Sequence, residues 1–423
     1  MSRVRGPHKI GIALAGGGFL GAIYELGSLC ALAEGIDGLD LKALDVYVGV
    51  SAGAFICAGL ANGFSPHQMV RRFVESEDTN IPIDPATLMN PAWDEWRAAL
   101  SKLPNVSRKI INEAFNRPFN RPITGPINGT NSRPTDPPNT SWKALLWQAI
   151  ERGSELLPRG LMDSSATQAK FAQLFAEAGR TDDFRKLSSI LRIVATDLDS
   201  GESVEFGSKG FDAVPISTAI RASSAVPGLF APVQINDRHY VDGALNKTLH
   251  ASVALDAGAR LVFCLNPLVP WDNTIGKDAS NGMGQGLADI LSQTVRTVVR
   301  SRMSVGLARY KVTHPKTDIL LFEPQRDDPI IFKSRIFSFQ ARRALCEHVY
   351  QQTRRNLLER QSELKPILAR HGLKLNITKL ADQRTTLVRP QPRPKHAKPA
   401  SLSAALQQLS FVLEDLDRHV RLS

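Results

Sequence analysis

The sequence predicts an α/β fold, a three-layer sandwich with a mostly parallel central sheet, and three observations lead there. Lys9 to Ala15 is an apolar, β-rich run that ends in glycines, and Phe19 to Glu34 then carries apolar residues at helical spacing. Asp45 to Val50 is a second apolar run, again followed by small residues that open a helix at Ala52. Strand, tight loop and helix, repeated, is the pattern of a parallel sheet with helices on its faces. Further strand-like runs at Leu191 to Thr196, Leu261 to Leu265 and Ile319 to Phe322 extend the scheme.

With 423 residues and 43% hydrophobic content, the chain can bury one large core without staples. The four cysteines, Cys30, Cys57, Cys264 and Cys346, lie mostly in apolar runs and show no metal-binding or disulfide spacing. They are expected to be reduced core thiols in a cytoplasmic protein. The basic, then apolar N-terminus is interrupted by Gly16, Gly17 and Gly18 and reads as a first strand, not a secretion signal. No stretch supplies the roughly 20 apolar residues of a spanning helix, so at most a peripheral association with the inner face of a membrane is expected. A formal charge of +11 favours an anionic partner. Without zinc-finger spacing, an aromatic RNA-binding signature or a basic recognition helix, a membrane surface fits better than nucleic acid.

Periodicity fades between about residues 79 and 162, where prolines and asparagines collect, and the expectation is an inserted cap. Its Trp93, Trp96, Trp142 and Trp147 suit either lipid contact or packing within a small helical cap. Gln285 to Tyr310 has the spacing of a long helix with Arg296, Arg300, Arg302 and Arg309 on its polar side. Phe337 to His371 is helical and charged and closes a domain spanning residues 1–383. Residues 384–400 form a Pro/basic linker, and 401–423 an amphipathic helix with Leu402, Leu406, Leu409, Leu413, Leu416 and Val420 at alternating steps of four and three. That seam suits a homodimer, docking on the body, or membrane contact.

Three motifs carry chemistry. Gly49-Val50-Ser51-Ala52-Gly53 is a Gly-x-Ser-x-Gly element at a strand-to-helix junction, where a sharp turn exposes a serine hydroxyl. Gly16-Gly17-Gly18-Phe19-Leu20-Gly21 follows the first strand, and its amides can converge on an oxyanion or a phosphate. The same residues satisfy a dinucleotide fingerprint, but that reading expects an acidic residue at the end of the second strand, which here ends at Val50-Ser51. Tyr240-Val241-Asp242-Gly243-Ala244 places an aspartate at a strand end, a turn signal alone and a general base in this company.

Together with Arg221-Ala222-Ser223-Ser224-Ala225-Val226-Pro227, these motifs make the chain resemble the patatin-like phospholipases. The family order is kept over roughly the first 250 residues. The resemblance implies a Ser/Asp dyad, with Ser51 as nucleophile and Asp242 as base, and an oxyanion hole from Gly16, Gly17, Gly18 and Phe19. Gly49 and Gly53 shape the elbow, and Gly21, Ala52 and Gly243 support it. The implied substrate is a lipid or other hydrophobic acyl ester, and no cofactor or metal is expected. Leu20 departs from the family's usual Arg or Lys before the last loop glycine, which bears on phospholipid preference more than on ester hydrolysis. Two alternatives compete: a Ser/His/Asp esterase, for which His314 is the late candidate, and an acyl-lipid-binding scaffold without catalysis.

Overall fold

A computed structural model of the chain describes residues 8–75, 92, 95, 159–272, 287–332 and 339–388. Residues up to Leu387 form one unit and Val388–Ser423 a second, of which only Val388 is described. The first apolar run forms β1 (Ile10–Leu14), and the glycines after it turn the chain into α1 (Gly18–Gly35). After β2 (Ile36–Asp37), β3 (Val46–Val50) leads directly into α2 (Ala52–Ala61). A reciprocal capping box between Ser65 and Gln68 then opens α3 (Pro66–Phe73). β4 (Gly160–Met162) and α4 (Ser165–Phe175) precede β5 (Ile190–Asp197), β6 (Ser203–Phe206) and α5 (Ile216–Ser223). β7 (Gly228–Phe230), β8 (Val233–Ile235) and β9 (Arg238–Asp242) follow, then α6 (Ala251–Asp256) and β10 (Leu261–Leu265). The remainder is α7 (Leu287–Thr313), β11 (Asp318–Phe322), α8 (Pro329–Phe332), α9 (Phe339–Glu359), α10 (Gln361–Arg370), β12 (Lys374–Leu375) and α11 (Ile377–Ala381).

The main sheet runs β11-β10-β1-β3-β5-β9-β8, with β6 also paired to β5. The strands from β11 to β5 are parallel, and β9, β8 and β6 add antiparallel neighbours at one end. β8 and β9 are joined by a two-residue turn at Asn236, whose φ of 54° is the left-handed conformation tight hairpins require. Side-chain alternation splits the sheet into two faces. Ala13, Val46, Val48 and Val50 pack with Ala251, Ala254 and Leu255 of α6 and with Met303 and Tyr310 of α7. On the other face α1 crosses α9 so closely that a methyl at Gly27 would lie 2.8 Å from the Cys346 carbonyl oxygen. Helices on both faces complete the expected three layers.

The expected strands after residue 190 are β5, β10 and β11, and the long basic helix is α7. The charged segment expected to be helical forms two helices over its described residues, α9 and α10. The break falls at Arg360, whose guanidinium turns away to the Leu321 carbonyl at 3.0 Å and to Glu363. All four cysteines are buried and free. No helix among the described residues is long and apolar enough to cross a membrane. The cap expected over 79–162 lies outside the described residues, apart from Ala92, Glu95 and Arg159 to Met162; so do its four tryptophans, the linker beyond Val388, and the segment 401–423.

Candidate active site

Ser51 stands between β3 and α2 with φ 52° and ψ −119°, a left-handed backbone that a residue with a side chain keeps only when its surroundings impose it. Two close approaches impose it here. A methyl at Gly49 would sit 2.4 Å from the Gly53 carbonyl oxygen, and one at Gly53 would sit 2.6 Å from that of Leu14. Strand and helix therefore meet at a separation that only glycines permit. The Ser51 amide donates to the Ser223 hydroxyl at 2.8 Å, and that hydroxyl donates to the Val194 carbonyl at 2.6 Å. The elbow is thus tied to β5 through the end of α5, and Ser51 is buried.

Asp242 ends β9, paired with Ala195 of β5, and is also buried. Burial pushes its carboxyl pKa up to about 6, against the opposing influence of the Ala244 amide and the nearby Ser51 side chain. The Ala244 amide lies 2.8 Å from Oδ1. Gly243 follows at a point where a methyl would collide with the Val194 carbonyl oxygen at 2.3 Å, which keeps the Asp242 turn down on β5.

The glycine-rich loop passes above both groups. A methyl on Gly16 would lie 3.3 Å from Cβ of Ser51 and 3.2 Å from Cβ of Ala244, so the loop touches the elbow and the Asp242 turn at once. Gly17 and Gly21 are held against Pro267, where added methyls would lie 2.7 and 3.0 Å from its Cγ. Gly18 adopts φ +58°, with open space on its Cβ side. The first-turn amides of α1 point out of the helix end, as do those of Ala52 and Gly53 in α2, whereas the Ala54 amide donates to the Ser51 carbonyl at 3.0 Å. No side chain caps α1, and neither helix carries an acid in its first turn.

Ser51, Ala52, Gly18 and Phe19 line a cavity of about 290 Å³. Phe55, Phe73, Phe171, Ile220 and Phe230 make its walls almost entirely apolar. Such a space accepts a hydrocarbon chain and offers little to a sugar or nucleotide.

The structure thus brings Ser51, Asp242 and the whole Gly16 to Gly21 loop together. It keeps His314 apart: that imidazole hydrogen-bonds Thr313 at 2.9 Å, lies 3.6 Å from the Asp256 carboxylate, and does not line the cavity. Several neighbours were not singled out from the sequence. Ser223 lay within a quoted motif, but only the fold shows that it receives the Ser51 amide. Arg221 lines the cavity and is held by Ser164 and Gln168, each at 3.0 Å. The Arg342 guanidinium stands 5.7 Å from the centre of the Phe19 ring, a cation near the loop that Leu20 does not supply. His250, buried near Gly243, has its pKa lowered by burial to about 4 and stays neutral. Arg342 and His250 carry no local sequence signal, and although Arg221 and Ser223 lie in a motif, their partners are set by contacts across 53, 57 and 172 positions.

The family model for patatin-like phospholipases matches residues 12–255. Among solved structures, VipD from Legionella pneumophila is 14% identical, with 83% of this chain and 67% of that one covered and a TM-score of 0.36. The ExoU-SpcU complex from the type III secretion system of Pseudomonas aeruginosa matches at 17% identity, 72% and 52% coverage and a TM-score of 0.27. A human GIVD cytosolic phospholipase A2 in complex with methyl gamma-linolenyl fluorophosphonate matches at 15% identity, 62% and 41% coverage and a TM-score of 0.25. The chain spans about two thirds of the first of these and about half or less of the other two.

Proposed function

The chain belongs to the patatin-like phospholipase family, and from that premise we propose that it is a serine acyl hydrolase cleaving fatty acyl esters of lipids through a Ser51/Asp242 dyad. The observation that carries this reading is the buried Ser51 at the strand-to-helix elbow, lining an apolar cavity and close enough to the buried Asp242 carboxyl to oppose the rise in its pKa. Asp242, with its pKa near 6, is largely ionised at neutral pH yet more basic than a free aspartate.

In the first half-reaction Ser51 Oγ attacks the ester carbonyl carbon while its proton moves to Asp242. The negative charge gathers on the carbonyl oxygen, against amides of the Gly16 to Phe19 loop and the start of α2. Collapse breaks the ester bond, and the alcohol leaves with the proton held by Asp242. Water then attacks the acyl-serine, Asp242 takes its proton and returns it to Ser51, and the fatty acid departs. The cavity holds the acyl chain throughout and excludes water from its length. Phospholipids, lysophospholipids and simpler acyl esters all present the required bond.

The test is labelling by a fluorophosphonate probe together with hydrolysis of a panel of p-nitrophenyl and glycerolipid esters, with Ser51→Ala as control. Probe modification at Ser51 and turnover lost in the variant are expected. A folded protein that neither labels nor hydrolyses any ester would overturn the proposal.

A further inference from the structure

The outward face of α7 has an unusual composition for a solvated helix. From Ile290 to Thr313 the helix contains no carboxylate; Arg302, Arg309 and Lys311 are its exposed cations, while Arg296 turns in to the Val269 carbonyl and Arg300 faces the Glu323 carboxylate. Large apolar side chains point to solvent along it: Val298 is 48% exposed, Val305 70% and Val312 80%. These valines alternate with exposed Arg302 and Arg309 at steps of four and three, so the five fall in a sector of about 80° on the helical wheel. Of the other exposed positions, Ile290 and Val295 are apolar, Lys311 is a cation, and Thr294, Thr297, Ser301, Ser304, Ala308 and Thr313 are small and uncharged. The opposite side of the same helix is seated in the core by Met303 and Tyr310.

We propose that this stripe is an interfacial docking surface for an anionic lipid bilayer. Charge complementarity selects that occupant. Exposed valines separated only by guanidinium groups suit an interface of acyl chains and anionic headgroups, with the apolar tips buried and the cations at headgroup level. The stripe is also joined to the candidate catalytic centre. Arg302 Nη1 lies 3.4 Å from the Leu245 carbonyl oxygen and 3.3 Å from that of Asn246, three and four residues beyond Asp242. Leu245 is itself exposed, which extends the apolar surface toward the Asp242 turn. Docking through α7 therefore sets the bilayer beside the turn that carries the proposed base.

The test is co-sedimentation of the full chain with vesicles of phosphatidylcholine alone and of phosphatidylcholine containing phosphatidylglycerol. Binding is expected only to the anionic vesicles and is weakened by salt. Val305→Glu/Val312→Glu, at two exposed positions outside the cavity, is expected to lower the partition coefficient at least tenfold. Arg309→Glu, which removes one cation and adds an anion at on the order of fivefold each, is expected to do the same. Circular dichroism and hydrolysis of soluble p-nitrophenyl butyrate by these variants should match the wild type. Vesicle binding needs no turnover, so it separates this proposal from the hydrolase reading. Wild-type protein that ignores anionic vesicles, or variants that bind them equally well, would overturn it. So would a wild-type dimer that the double variant dissolves, because the stripe would then serve a second copy of the chain.

Discussion

Ser51 directly follows β3 and Asp242 ends β9, two strands that are not neighbours: β5 lies between them, with Val194 opposite Val50 and Ala195 opposite Asp242. The pair is therefore held by the sheet rather than by either loop. Ser51→Ala should remove fluorophosphonate labelling and turnover together. Asp242→Asn keeps the shape and the Ala244 hydrogen bond but cannot accept a proton, so a fall of roughly 10²–10⁴-fold in kcat is expected. His314→Ala, away from the cavity, should stay within twofold of wild type. Ester hydrolysis surviving Asp242→Asn but not His314→Ala would favour a histidine base.

The same carboxylate predicts a pH profile. Asp242 must be ionised to accept the Ser51 proton, so kcat/KM should rise through a pH of about 6 and level off above it. Stability runs the other way. Between the unfolded value of about 3.9 and the folded value near 6, the folded chain holds a proton that the unfolded chain has lost, so stability falls as pH rises through that window. The loss approaches about 3 kcal/mol above it. Asp242→Asn lacks this term and should gain on the wild type between pH 4 and pH 7 in denaturant unfolding. A difference that is flat with pH would mean a carboxyl of ordinary pKa.

Much of this site is legible in the chain because its parts are local. Gly-x-Ser-x-Gly predicts an elbow since strand, turn and helix are set by five consecutive residues, and Gly16 to Gly21 predicts a turn by the same logic. The Ser223 to Ser51 contact spans 172 positions, and the placement of Arg342 over Phe19 depends on how α9 crosses α1. Such contacts are products of packing, and a serine or arginine in isolation carries no trace of them. The break at Arg360 is similar, because its guanidinium finds a carbonyl on a strand that only the fold brings near.

Ser223→Ala offers a test of positioning without touching substrate. It leaves the buried Ser51 amide without its acceptor, a loss worth about 1–3 kcal/mol. Because the strained Ser51 backbone then has fewer restraints, kcat should drop roughly tenfold or more with KM little changed. Ser223→Thr, which restores a hydroxyl, should recover part of it. Equal losses in kcat and in KM, or no rescue, would point to general damage of the pocket instead.

Two loop glycines should respond differently to alanine. Gly18 has open space around its Cβ direction and a φ of +58°, so Gly18→Ala should fold with a penalty of about 1–2 kcal/mol from the backbone alone. Gly53→Ala drives a methyl to 2.6 Å from the Leu14 main chain, which cannot move without displacing β1. That variant should lose more than about 4 kcal/mol or fail to accumulate as folded protein. Thermal unfolding of the two compares conformational strain with collision directly.

Glu25 on α1 is completely buried behind the loop, and burial raises its pKa well above the usual carboxylate range, opposed only by the Ala15 amide. That amide already donates to the Leu265 carbonyl at 3.1 Å, so it satisfies the carboxyl poorly. The folded chain accordingly keeps Glu25 protonated where the unfolded chain, with a value of about 4.3, has released the proton. Folded stability from this group is therefore whole in acid and declines as pH climbs past that unfolded value. Glu25→Gln preserves the shape and cannot ionise, so its stability relative to wild type should increase steadily from pH 4 toward pH 8. Denaturant midpoints measured across that range decide the matter: parallel curves for the two proteins would show that Glu25 is as well solvated in the fold as outside it, whereas a widening gap identifies a neutral acid held behind the glycine loop.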